Sequence, residues 1–156
     1  MENGTCNLRE REICINKVMT IIEQISDVIQ AYNKSYKTLS IDSLLNAKDK
    51  LVTLNFNLCE EVAEAKKSYN YGYYIRKINI VKAKNRFINQ GTSAVAAEAK
   101  ALEEFAGDLK EELDREAYSY RLDLLLKQSN KVVDAIQQRV SFLKTEKQNA
   151  DYGQNT

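Results

Sequence analysis

Proline occurs nowhere in the 156 residues of this chain, and glycine only five times. Proline ends helices because it lacks an N–H donor and clashes with the preceding turn, and each interior glycine weakens a helix by about 1 kcal/mol. A chain without the first and sparing of the second tolerates very long helices, so the expected fold class is all-α.

Apolar spacing divides the chain into four helices. Ile15, Val18, Ile22, Ile25, Ile29, Tyr32 and Tyr36 recur at alternating steps of three and four, a seam of coiled-coil type that predicts a helix over about 6–36. Ser40 is placed to cap a second helix over about 42–89, since its hydroxyl can accept from a free N–H of the first turn. Leu44, Leu51, Leu54, Leu58, Val62, Ala65 and Tyr69 recur along it at helical spacing. Beyond Tyr69 two parallel rows continue, Tyr73, Ile80 and Phe87 in one and Tyr74, Ile78, Val81 and Ile88 in the other. Whether the helix passes straight through Gly72, for a length of roughly 70 Å at 1.5 Å per residue, or kinks there, is left open by the pattern.

Gln90-Gly91-Thr92-Ser93 is the clearest punctuation: glycine suits the left-handed residue that closes a helix, and threonine or serine suits the cap that opens the next. An alanine-rich helix over about 93–105 and a long one over about 107–147 follow. The last is read as a seam of Leu109, Leu113, Ala117, Tyr120 and Leu124 that changes over to Leu125, Val132, Ile136, Val140 and Leu143. Residues 1–148 read as a single helical domain and 149–156 as a disordered tail. The expected architecture is an elongated antiparallel hairpin or bundle. An object that thin has too little interior for every seam, which predicts a homo-oligomer joined through Ile15, Ile22, Ile25 and Ile29.

Composition removes whole classes of chemistry. There is no histidine, so triads, histidine general bases and the ExxH elements of di-iron bundles are excluded. No phosphate loop, dinucleotide fingerprint or calcium loop occurs, and the carboxylates of Glu60, Glu61 and Glu64 read as a solvated face. The expectation is a non-enzyme with no cofactor and no metal. Cys6, Cys14 and Cys59 form no CxxC pair; Cys14 and Cys59 read as small buried hydrophobes in a reducing, cytoplasmic setting. The N-terminal residues lack the apolar core of a signal peptide and no run approaches a membrane span, so no membrane is expected as a partner.

Charge is segregated along the chain. Lys66 to Ala97 holds seven cationic residues and no acid, whereas Glu98 to Asp123 holds nine acids against four bases. Two readings stay open. In one, Arg76, Lys77, Lys82, Lys84 and Arg86 meet phosphates while Tyr71 and Tyr74 stack on the bases of single-stranded DNA, or the same residues bind a protein. In the other, the turn at Gly91 folds the acids back onto the cations and the pairs set register.

The run RKINIVKAKNRFINQGTSAVAAEAKA, then an acidic helix, then VVDAIQQRVSFLKTEK, together spanning about residues 75–147, resembles a diffuse family of small helical proteins encoded by tailed bacteriophages. Such proteins are often encoded near single-strand annealing or recombination genes. The resemblance implies a self-associating accessory to DNA replication or recombination, working through a partner protein or single-stranded DNA in the host cytoplasm. An inhibitor of a host defence protein or host enzyme, or a structural virion component, are its alternatives.

Overall fold

The computed structural model describes the backbone of residues 8–153 and the side chains of residues 16–150. It is all-α: α1 (Leu8–Ser35), α2 (Ile41–Asn89), α3 (Ala94–Glu104) and α4 (Ala106–Gly153), with no strand among the described residues. Three of the sequence-read helices agree to within about two residues at each end. The fourth does not: α4 continues to Gly153, so residues 149–153, expected as a disordered tail, are helical. No described helix is long and apolar enough to cross a membrane.

The helix ends follow from local chemistry. The Ser43 N–H donates to Ser40 Oγ at 3.2 Å, the cap expected for α2. After α2, Gly91 takes φ 84°, the left-handed conformation that only glycine adopts without strain. There Thr92 N donates to the Phe87 carbonyl at 3.0 Å and Gly91 N to the Ile88 carbonyl at 2.9 Å, which satisfies carbonyls the helix leaves unpaired. Ser93 then caps α3, its hydroxyl accepting from Ala96 N.

The packing gathers into two compact units, where the sequence reads as one domain. The first comprises the chain up to Glu61 together with the residues from Leu124 on, and the second is Val62–Asp123. In the first unit α1 contributes Val18, Ile21, Ile25, Val28 and Tyr32 to the core, α2 contributes Leu44, Leu51, Leu54 and Leu58, and α4 contributes Ile136 and Val140. α2 and α4 run antiparallel, since Lys48 bonds Gln137 while Asn55, seven residues later, bonds Asn130, seven residues earlier. Asn55 and the fully buried Ser129 form a polar layer in this otherwise aliphatic interior.

The core corrects the seam read on α1. Ile25 is completely buried by the chain's own packing, so it cannot serve a second copy. Ile22 and Ile29 are half-buried, and their neighbours Ile21 and Val28 lie deeper. In the doublets Ile21-Ile22 and Val28-Ile29, helical period alone does not say which member points inward. The side chain of Ile15 lies outside the described residues. Cys59, expected as a buried hydrophobe, is exposed, because it follows the buried Leu58 and sits one step further round the helix.

Burial sorts these positions by expected cost. Ile25→Ala and Leu51→Ala should each lower stability by about 2–4 kcal/mol, whereas Val52→Ala and Cys59→Ala, on the outer face, should change it by less than about 0.5 kcal/mol. Urea unfolding midpoints of the four variants check this, and comparable shifts in both pairs would contradict the packing.

Candidate interaction surface

In the second unit α2 passes through Gly72 without a break, which answers the question that residue raised. Glycine is used here for approach rather than for a turn: a Cβ at this position would lie 2.7 Å from Arg115 Nη1. The bare backbone lets the guanidinium of α4 lie across α2.

Four residues further along, Arg76 meets Glu112. Arg76 Nε donates to Glu112 Oε2 at 2.6 Å and Nη2 to Oε1 at 3.2 Å, a two-pronged geometry that suits guanidinium and carboxylate. Both side chains are largely buried, at 15% and 8% exposure. The hydrogen bond from Arg76 holds the Glu112 carboxyl below its ordinary pKa, against the opposing effect of burial, and the same bond raises that of Arg76. Burial, then the charges of Glu116 and Glu112, raise the pKa of the Tyr69 hydroxyl.

The rest of the basic segment is similarly occupied. Lys84 pairs with Glu98 at 2.7 Å, Arg86 with Glu104, and Lys67 with Glu64 at 3.2 Å. Lys77 Nζ lies 4.3 Å from the centre of the Tyr73 ring. Among the described residues only Lys66 and Lys82 of this segment's cations lack such a contact. The five cations named as phosphate contacts are therefore not one patch: Arg76, Lys84 and Arg86 are held by acids of α3 and α4.

Tyr71 and Tyr74 are 69% and 62% exposed. They belong with Ile75, Ile78, Val81 and Ile88, all exposed, in a row whose spacing of three and four follows one side of α2. The inner side carries half-buried Tyr69 and Tyr73, Arg76, and the buried Ala83. Ala83 is matched in α3 by the fully buried Ala97 and Ala101, small residues that allow close helix approach.

α4 is rotated relative to the sequence reading. Leu109, Leu113 and Tyr120, read as its core seam, are 40%, 52% and 66% exposed, and Ala117 is exposed with them. Glu112, Arg115, Ser119 and Leu122 take the inner side instead. They continue, at steps of three and four, the phase of Leu126, Ser129, Val133, Ile136, Val140 and Leu143, so no changeover occurs near Leu124. Extending that C-terminal phase backward was the signal that could have identified Glu112 and Leu122 as interior; Arg115, on the same side, keeps its side chain partly exposed and paired with Glu111. Comparison with protein-family models, with curated proteins and with solved structures returned no match.

The Arg76–Glu112 pair makes stability depend on acid. A carboxyl whose folded pKa is depressed contributes stability that is present above its unfolded pKa, about 4.3, and lost as pH falls through the lower folded value. Glu112→Gln should cost on the order of 2 kcal/mol at pH 7, between an exposed and a fully buried pair, and the cost should shrink below about pH 4. Thermal melts of wild type and variant at pH 7 and pH 3 read this directly; a pH-independent difference would contradict it.

Proposed function

We propose that this chain is a non-enzymatic helical interaction protein that binds another protein through the outer row of α2. The observation that carries this reading is the row itself: Tyr71, Tyr74, Ile75, Ile78 and Val81 lie exposed on a segment that has no acidic residue from Ala65 to Ala97. Exposed apolar residues aligned on one helix face mark interaction sites, unlike the same residues scattered singly. The row fits a groove or helix with an apolar face and acidic groups placed opposite Lys77 and Lys82; at its other end Asp108 and Glu111 of α4 line one hollow with Tyr71 and Ile75.

Two features favour protein over single-stranded DNA. Ile75, Ile78 and Val81 continue the row beyond the tyrosines with side chains that offer bases no stacking plane. Four of the segment's seven cations, Lys67, Arg76, Lys84 and Arg86, are also committed to carboxylates of the same unit. The resemblance to phage helical proteins adds a setting: an accessory in DNA replication or recombination that acts through a partner protein.

The reading is tested with amphipathic helical peptides of one apolar row, bordered either by glutamates or by lysines. The glutamate-bordered peptide should bind, the lysine-bordered one should not, and Ile78→Asp should weaken binding by about tenfold or more. Binding of an oligothymidylate with steep salt dependence, unaltered by Ile78→Asp and with neither peptide bound, would overturn it. For the setting, the measurement is a titration with a phage single-strand annealing protein, wild type against Ile78→Asp; equal affinities would remove that role.

A further inference from the structure

Between α1 and the start of α2, within the first unit, lies a hollow of about 300 Å³ that the core does not fill. Buried Val28 and Tyr32 and half-buried Leu39 give it apolar walls. Ala31 on α1 and Ala47 on α2 also line it, and where larger side chains would close the gap between two helices, alanine leaves it open. In volume and in its mostly apolar lining the hollow meets the lower end of the range of small-molecule sites.

One lining residue is charged. Lys50 stands at the end farthest from the connection between α1 and α2, while Leu39, in that connection, stands at the other. The remaining polar lining is neutral, two serines and an asparagine. Asp27 and Asp49 are each one residue from a lining position, about 100° further round their helices, and neither is among the walls. Lys50 has no ion pair among the described residues. An ammonium group at one end of an apolar slot, with no carboxylate in the lining, favours a ligand with an apolar body and one negative end.

The length of the slot limits that ligand. It runs over residues 28–35 of α1 and 43–50 of α2, about 10 Å at 1.5 Å per residue, which an extended alkyl chain of about eight carbons spans. We infer that the hollow binds a soluble medium-chain alkyl carboxylate, its carboxylate at Lys50 and its chain lying past Ala31 and Ala47 toward Leu39. The α2 row takes no part, since it belongs to the other unit.

The experiment is a calorimetric titration of the full chain with three probes of equal length, octanoate, octanol and octylammonium. Octanoate should bind one to one, about threefold tighter than octanol and about tenfold tighter than octylammonium, as one solvent-exposed charge contact allows. Lys50→Glu, at an exposed position, should reverse that order and leave helical circular dichroism unchanged. Shortening octanoate to hexanoate should weaken binding by about two- to fourfold per methylene, and lengthening it to decanoate should add little. Ala47→Leu should abolish binding of all three probes. Ala31→Leu, at an exposed position on α1, applies the same test if the first variant fails to fold. Ile78→Asp should change nothing.

Equal affinities for the three probes, an order unchanged by Lys50→Glu, or affinity that rises as steeply from octanoate to decanoate as before would overturn the inference. So would octanoate binding that survives both leucine variants, or that is lost in Ile78→Asp and therefore belongs to the α2 row. Absence of octanoate binding at millimolar concentration would overturn it as well.

Discussion

The second unit is organised around one charged contact. Arg76 and Glu112 are buried where aliphatic side chains would ordinarily face each other. Leaving either unpaired there would cost several times what an exposed pair contributes, so the rotation of each helix is coupled to keeping the two in register. With Arg76 and Glu112 pointing inward, Tyr71, Ile78 and Val81 fall on the opposite side of α2, while Leu113 and Tyr120 lie about a quarter turn from Glu112 on α4, and all five are exposed. Gly72 and Arg115 belong to the same arrangement, one giving up its side chain where the other crosses.

The first unit is built on the opposite rule. Its interior is aliphatic, with Ile25, Leu44, Leu51, Leu58 and Ile136 fully buried, and its polar layer is neutral: Asn55 Nδ2 donates a hydrogen bond to Asn130 Oδ1, next in sequence to the buried Ser129. Apolar burial of that kind scales with area and supplies stability, whereas a charged layer mainly fixes which residues oppose which. The long helices α2 and α4 each take part in both units, so one continuous hydrogen-bonded backbone serves two kinds of packing.

Of the two readings of the basic segment, the internal one accounts for Arg76, Lys84 and Arg86. Their acids lie on α3 and α4, beyond the reversal at Gly91. The charge segregation that suggests a nucleic-acid surface in the linear sequence is spent largely on holding an antiparallel hairpin together. What remains at the surface is the apolar part of the same segment, and its aliphatic members suit a helical partner better than a base.

Helix number, approximate helix limits, the turn at Gly91 and the cap at Ser40 were legible in the sequence, because each depends on neighbours along the chain: absent prolines, a glycine free to take positive φ, a hydroxyl within reach of the next N–H. The heptad row Leu44, Leu51 and Leu58 was legible too, since one long stripe leaves a single choice of inner face. Which of Ile21 and Ile22 points inward, and which side of α4 faces α2, was not. Both depend on partners remote in sequence: for α1 the core residues of α2 and α4, and for α4 the pairing of Glu112 with Arg76 and the approach of Arg115 to Gly72. A periodicity rule that ranks positions by hydrophobicity sends the leucines inward, whereas the tertiary structure sends the ion pair inward, because an unpaired buried charge costs more than an exposed leucine.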